Sequence, residues 1–461
     1  MCRRIVALLS VWALLGAGLA EAQPVADAPS RFKLYGFVRN YIAFDTREVS
    51  AGTQDLYFYM PRNISMEGGV DRAATPSLRM LSLTTRLGLS FSGYRIGDLQ
   101  VGGAVEGDFY CMSGSAAVLR MRQAYVGLLW DNLELGDLLV NVGQTWHPVA
   151  ADMPHVTNLE TGAPFNPFNR SPQVMFHWMV RRFTLTGGIL YPMQYLPVAP
   201  TSTTEPLWNP FTNQYVPSTT LGAAKSADPV KYGMIPEVYL GLSYQGGGFL
   251  GRAGVNFFSS MPRWQAPSIK IVDEATKELS FDYENTSMLK ARLFAFSPFV
   301  FLQYTNGSFQ VRAKGILAQS GEHLNLLSGY AATYNWKRHA LEYTPMQDLA
   351  AFLSFQYGKK FQVMGMFGYM QQIGTTRTVF AYWANDVLNN VWLNTAADSR
   401  IQRAFRATPT IAYNLGRLTF SLEYNLTGAW FGTGTRNRGG LYGFGHWVLN
   451  HRVLQMVKFN F

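Results

Sequence analysis

Side chains along residues 418–430 alternate between apolar and polar with a period of two. Leu418, Phe420, Leu422, Tyr424, Leu426 and Trp430 fall on one parity; Thr419, Ser421, Glu423, Asn425 and Thr427 fall on the other. An extended strand turns successive residues to opposite faces, so this segment carries one apolar and one wet face. Residues 98–109 do the same, with Leu99, Val101, Val105 and Phe109 against Gln100, Glu106 and Asp108. So do residues 79–91, with Leu81, Leu83, Leu87, Leu89 and Phe91 against Ser82, Thr84, Arg86 and Ser90. A wall one strand thick, with lipid outside and water inside, demands this pattern, and a helix does not produce it.

Candidate strands of this kind lie near 32–44, 78–91, 98–110, 118–130, 138–146, 173–183, 183–191 and 236–245. Others lie near 249–258, 288–304, 308–319, 346–357, 361–372, 401–413, 418–430 and 447–461, about 16 in all. An even number returns both ends of a barrel to one side. Short turns are expected at 93–97, 131–137, 181–183, 246–248, 306–307, 358–360 and 414–417. Asn306-Gly307 and the glycine pairs suit them, because tight hairpins require positive φ. Between the turns lie long connections at 45–77, 147–172, 192–235, 259–287, 320–345, 373–400 and 431–446, with a short one at 111–117. This sorting predicts an all-β fold: a transmembrane antiparallel β-barrel over residues 32–461, with short periplasmic turns and long extracellular loops.

The composition agrees. The chain is 14% aromatic and only 15% charged, with 43 glycines, which suits short strands and polar loops better than an α/β enzyme. Beyond the N-terminal segment no stretch approaches the ~18 consecutive apolar residues of a membrane-spanning helix.

The two ends read as export and assembly signals. Arg3 and Arg4 precede the apolar run Ile5 to Leu19, and Ala20-Glu21-Ala22 gives a small-x-small cleavage pattern. Residues 1–22 are therefore expected to be a cleaved signal peptide, and residues 23–31 a short periplasmic segment. The last strand places Val453, Val457, Phe459 and Phe461 on one parity and Arg452, Lys458 and Asn460 on the other. A terminal aromatic on such a strand suits recognition by barrel-assembly machinery. The expected surroundings are outer-membrane lipid and lipopolysaccharide. Loss of Cys2 with the signal leaves Cys111 as the one thiol, so no internal disulfide is expected and Cys111 is read as a bystander.

The formal net charge is +10, and removing Arg3, Arg4 and Glu21 leaves +9. The basic residues are scattered through strand-like segments rather than run together, which argues against nucleic acid as a partner and for an electropositive interior.

Three segments carry a family resemblance. Lys33-Leu34-Tyr35-Gly36-Phe37-Val38-Arg39, Leu119-Arg120-Met121-Arg122-Gln123-Ala124-Tyr125-Val126 and Gly143-Gln144-Thr145-Trp146 resemble the DcaP-like porins. The motifs occupy the first third of the chain, and the remainder agrees in pattern. The resemblance implies a sixteen-stranded porin, a homotrimer, that passes small anionic solutes such as dicarboxylates. Some relatives carry a helical segment before the barrel, for which Gln23–Arg31 is too short.

A diffusion pore needs a lumen, a constriction and charge rather than a catalyst or cofactor. On the parity assigned to the lumen lie Arg39, Arg86, Arg120, Arg122, His177, Arg181, Arg252, Arg312, Lys314, Arg452 and Lys458. Guanidinium groups hold their charge and offer several donors to a carboxylate. A cation on the lipid side near mid-membrane would cost about 2–4 kcal/mol. A structural reading stands beside the functional one, because Glu106 and Asp108 could pair across strands with Arg120 and Arg122. The parity there is also open to a bulge, since it continues into Val126, Leu128 and Trp130.

The loop 147–172 is the expected constriction, with His147, Asp152, His155, Glu160 and Arg170 as its candidate residues. The spacing of His147, Asp152 and His155 matches no tight metal motif. Tyr41, Phe44, Trp130, Trp146, Tyr191, Tyr244, Phe258, Tyr304, Tyr357 and Trp430 read as interfacial girdles, with a sugar-binding slide as the alternative for some. An adhesion or structural barrel competes with the porin reading. A barrel enzyme is a weaker competitor, because Gly-x-Ser-x-Gly, His-Glu-x-x-His and Walker motifs are all absent. A TonB-type transporter would need a plug domain that Gln23–Arg31 is too short to supply.

Overall fold

The computed structural model describes residues 32–50, 57–113, 116–209, 214–273, 275–276, 278–380 and 390–461. The expected signal peptide and the segment 23–31 lie outside the described residues, as does the side chain of Cys111.

Sixteen antiparallel strands close into a barrel. They are β1 (Phe32–Asp45), β2 (Ser77–Leu81, resuming as Arg86–Ile96), β3 (Leu99–Ser113), β4 (Ala116–Leu133), β5 (Gly136–Trp146) and β6 (Arg170–Val180). There follow β7 (Phe183–Leu190), β8 (Glu237–Gly246), β9 (Phe249–Ser260), β10 (Leu293–Asn306) and β11 (Phe309–Gln319). The last five are β12 (Ala340–Gly358), β13 (Phe361–Thr375), β14 (Ile401–Leu415), β15 (Leu418–Arg436) and β16 (Tyr442–Asn460). Each strand pairs with its sequence neighbours, and β1 pairs with β16 from Phe37↔Asn460 to Asp45↔Arg452. Closure leaves no edge of unpaired amides and carbonyls, a requirement for strands in lipid.

The seam is finished by the last residue. Phe461 and Gly36 exchange backbone hydrogen bonds of 3.1 and 3.2 Å. A side chain at Gly36 would meet the Phe461 ring at 2.8 Å and the Arg86 carbonyl at 2.3 Å, so only glycine lets the terminal aromatic seat here.

Connection lengths sort as the alternation predicted. At one end the turns are 97–98, 134–135, 181–182, 247–248, 307–308, 359–360 and 416–417; at the other end lie 46–76, 147–169, 191–236, 261–292, 320–339 and 376–400, with shorter links at 114–115 and 437–441. Three of the long connections carry strand pairs of their own: Val198–Asn209 with Gln214–Lys225, Gln265–Asp273 with Glu278–Met288, and, after β1, the two-residue pairs Val49–Ser50 with Met60–Pro61 and Met66–Glu67 with Val70–Asp71.

The wall shows its two faces plainly. Along β10, Phe294, Phe296, Val300, Leu302 and Tyr304 are exposed on the outer face, while Leu293, Ala295, Ser297, Phe299 and Phe301 are buried inside. Apolar groups outside meet lipid at no hydrophobic cost, and the inner face must find partners within the lumen.

Two expectations about parity are corrected, and the bulge left open in the fourth strand is found. Leu81 and Leu83 turn inward, because β2 breaks over Ser82–Thr85 and Thr84 takes a φ of 68°, which flips the faces before Leu87 and Leu89. In β4 the parity switches at Arg122. Glu106 pairs with Gln123 and Gly107 with Met121, so Arg122 is the extra residue of a bulge, and both it and Gln123 are buried. Tyr41, Trp146 and Phe258 face the interior rather than an interfacial girdle, whereas Phe44, Tyr244, Tyr304 and Tyr357 remain outside or at the rim.

Candidate functional site

The loop after β5 does not stand out from the barrel. Residues 147–169 enter the lumen and touch most of the opposite wall. Lys314 on β11 donates to the Val149 carbonyl at 2.5 Å, and Arg312 to the Met153 carbonyl at 2.9 Å. Arg252 on β9 pairs with Asp152 at 2.9 Å. Ser354 on β12 accepts from the His155 amide at 3.2 Å, and Glu423 on β15 accepts from the Thr157 amide at 2.7 Å. Gly368 on β13 leaves room for Phe165, whose ring would sit 2.4 Å from any added Cβ. Glu160 reaches Arg39 on β1 at 3.7 Å. A loop buried in the lumen needs partners for its backbone, and the wall cations supply them.

A second inward segment was not foreseen. Tyr57, Phe58, Tyr59 and Met60, from the connection after β1, are almost fully buried. Phe58 and Tyr59 hold φ values of 64° and 45°, a strained backbone for residues carrying a side chain. One guanidinium joins the two intruding segments. Arg406 on β14 donates through Nη1 to the Thr161 and Ala163 carbonyls at 2.6 and 3.1 Å, and through Nη2 to the carbonyls of Phe58 and Tyr59. Its Nε reaches Thr427 Oγ1 at 2.9 Å. Arg406 was not among the cations expected in the lumen, although it shares the inward parity of Ala404, Thr408 and Thr410 on its strand.

The structure therefore assigns different partners to the expected lumen cations. Arg122 bonds Glu106 at 2.7 Å and Asp108 at 2.6 Å, while Arg120 holds Asp108 through two bonds of 3.1 Å and Tyr195 at 3.2 Å. Of the two readings weighed for this pair, the structural network is the one observed. Arg452 lies 3.5 Å from Asp45 and stacks over Tyr59. Arg86 lies 3.7 Å from Glu106. Arg170 is the first residue of β6 rather than part of the loop; it stacks on Trp146 at 4.1 Å and donates to Gln194 at 2.6 Å. Arg181 corrects an expectation: it sits exposed in the turn between β6 and β7, off the lumen wall, with a φ of 55°.

Near the long-loop end a buried carboxylate joins three elements. Glu237, at the start of β8, accepts from His323 at 2.8 Å, from Asn256, and faces His147 Nε2 at 3.3 Å. Both nitrogens of His323 face acceptors, since Nδ1 lies 3.1 Å from the Ser320 carbonyl. Burial works against the imidazolium, but the Glu237 carboxylate outweighs it and raises the His323 pKa. His147, by contrast, accepts at Nδ1 from the Val149 amide. His147, Asp152 and His155 thus turn to different partners.

His155 makes a pH prediction. Burial, then the charge of Arg312, opposed by a hydrogen bond with Gln310, pushes its pKa down from 6.5 to about 3. The unfolded chain takes up a proton near pH 6.5 that the folded loop refuses until about 3. Between those values the unfolded state binds more protons, so stability falls as pH falls, by up to about 1.4 kcal/mol per pH unit. His155→Gln should flatten that part of the profile in urea titrations; an unchanged slope would remove His155 as the cause.

Over the loops' inner surface lies a cavity of about 500 Å³, lined by Tyr57, Phe58, Tyr110, Arg120, Gln194, Tyr195, Lys225 and Asn325 among others. Lys225 comes from the hairpin after β7 and lies 3.3 Å from the Glu322 carbonyl and 3.4 Å from Asn325 Oδ1. Burial pushes its pKa down to about 8, against the pull of Glu322. The charged side chains that solvent can reach differ by position. Half-buried Arg120, Arg252, Arg312 and Lys458 line the inner face, whereas the half-buried carboxylates Asp131, Asp137 and Glu342 sit near strand ends.

A closed sixteen-stranded barrel with an apolar outer wall and long loops at one end is the fold of outer-membrane β-barrels. No protein-family model matches the sequence, and no curated protein matches it. Among solved structures, the chain is similar to the outer-membrane channel DcaP of Acinetobacter baumannii. The identity is 16%, with 95% of this chain and 100% of that one covered at a TM-score of 0.58. It is also similar to OmpT of Vibrio cholerae, with 11% identity, 94% and 99% coverage, and a TM-score of 0.50. The fold implied by the resemblance in the first third of the chain is therefore the fold found.

Proposed function

We propose that this protein is an outer-membrane porin that passes small hydrophilic solutes by diffusion, with a preference for anions of the dicarboxylate kind. One observation carries the reading: two loop segments enter a closed barrel and narrow its lumen, and the solvent-reachable charges on the wall there are cations. A charged constriction in a low-dielectric wall concentrates ions of opposite sign and sets the permeability ratio. An export signal over residues 1–22 would deliver the chain, with Phe461 as its assembly signal. No motif in the sequence supplies a nucleophile, so an enzymatic reading has no residues to rest on.

Purified protein in a planar bilayer should give stable ohmic steps, and a salt gradient should give a reversal potential of anion-selective sign. A silent membrane at high protein load overturns the porin reading, and a cation-selective potential overturns the anion preference.

The same reading extends to a homotrimer. Asn40 on β1, Ser82 in the break of β2, and Gln455 on β16 face outward close to the seam, and Asn40 and Ser82 share a hydrogen bond. Polar groups at lipid depth are costly unless covered, and a second copy of the wall would cover them. Unboiled samples on a denaturing gel should run at three times the monomer mass; a monomer band under those conditions would count against this extension.

A further inference from the structure

Three cations meet around one aromatic ring on the inner face of the seam. Lys458 on β16 and Arg39 on β1 are direct cross-strand partners, and Arg86 on β2 is the partner of Phe37. The Phe37 ring lies 4.8 Å from the Arg86 guanidinium, 5.7 Å from that of Arg39 and 5.7 Å from Lys458 Nζ. Like charges placed directly opposite in a sheet repel, and burial sharpens the repulsion. Two carboxylates approach the arginines from the side, but neither pairs with Lys458. Glu106 lies 3.7 Å from Arg86, but its short bond goes to Arg122 at 2.7 Å. Glu160 approaches Arg39 to 3.7 Å. Lys458 has no hydrogen bond or ion pair among the described residues. The Nε of Arg39, on a side chain about 95% buried, has no hydrogen-bond partner, and the Nε of Arg86, buried as deeply, has only Glu106 at 3.7 Å.

We infer that Arg39, Arg86 and Lys458 form a binding site for a small tetrahedral oxyanion of charge −2, of which inorganic phosphate is the type. Glu106 is shared between Arg86 and Arg122, so the count extends to its neighbours: Arg39, Arg86, Lys458, Arg120 and Arg122 face only Glu160, Glu106 and Asp108, and two positive charges remain to be balanced. The donors arrive from three neighbouring strands, which suits oxygens pointing in several directions better than the single plane of a carboxylate. Lys458 is half-buried and stays in contact with lumen water, so an anion can enter and leave. The site lies on the short-turn side of Glu160, where a solute that has passed the inward loop arrives next. It rests on the reading of the lumen as an anion path.

The test is chloride current through the wild-type channel in a planar bilayer, with phosphate or acetate added to each side in turn at equal ionic strength. Phosphate should reduce the current from the short-turn side at concentrations where acetate does not. Lys458→Gln should raise the half-blocking phosphate concentration about tenfold, and Lys458→Arg should restore it. Equal block by acetate and phosphate, or an unchanged half-blocking concentration in Lys458→Gln, overturns the site while an anion-selective reversal potential leaves the porin reading standing. A cation-selective wild-type channel overturns the anion path and the site with it.

Discussion

Replacing Arg406 by methionine is expected to destabilise the barrel by on the order of 3 kcal/mol and to release both inward segments into solvent. The guanidinium donates to four loop carbonyls and to Thr427, so its loss strands five acceptors in a dry place. Two of those carbonyls belong to Phe58 and Tyr59, whose strained backbone persists only while its surroundings hold it. Single-channel conductance should rise, because the segments that narrow the lumen lose their common anchor. Arg406→Lys should fare little better, since one ammonium cannot span two pairs of carbonyls as a planar fork does. A wild-type unfolding midpoint together with wild-type conductance would show that the loops hold their places without Arg406.

Reversing Arg120 and Arg122 together to glutamate is expected to prevent assembly of the folded barrel rather than merely to alter its selectivity. Arg122 is buried between Glu106 and Asp108, at 2.7 and 2.6 Å, and Arg120 closes the other side of Asp108. Breaking one buried pair costs about 3–5 kcal/mol because the partner is left as an uncompensated charge. The double variant would crowd four carboxylates onto neighbouring strands. A matched neutral set, with Glu106→Gln, Asp108→Asn, Arg120→Gln and Arg122→Met, removes the charges in pairs and should fold. Heat-dependent mobility on a denaturing gel separates the two, since a folded barrel changes its position on boiling and an unfolded one does not. Native mobility in the glutamate variant would show that the network is dispensable. Because these arginines are neutralised by their partners, selectivity is better probed at Lys458, which has no carboxylate partner among the described residues.

The wall was legible in the sequence because its physics is local. Alternation between lipid and water is written residue by residue, and every one of the sixteen strand candidates overlaps a strand of the barrel. Where alternation was broken locally it misled: Leu81 and Leu83 were assigned to lipid, and the break at Ser82–Thr85 turned them inward. Tyr41, Trp146 and Phe258 looked like girdle residues because aromatic character does not tell which face a residue occupies. The loop after β5 was recognisable as the inward one from its place after the fifth strand. The segment Tyr57–Met60 was not, since nothing in its own sequence tells that Arg406 and Arg452, far along the chain, wait inside to receive it.

The sequence by itself determined the strands, most of their inward-facing cations, the sorting of turns from loops and the closing strand at Phe461, all consequences of a two-residue period and short-range turn chemistry. Only the tertiary structure decided which cations are consumed and which remain open. Arg120 and Arg122 are paired with carboxylates across one hairpin, Arg312, Lys314 and Arg406 are bound to carbonyls of intruding loops, and Lys458 is left facing the lumen. The reason is range. A strand's face is fixed by its immediate neighbours, whereas a cation's partner is chosen by whatever the loops carry across the barrel to meet it.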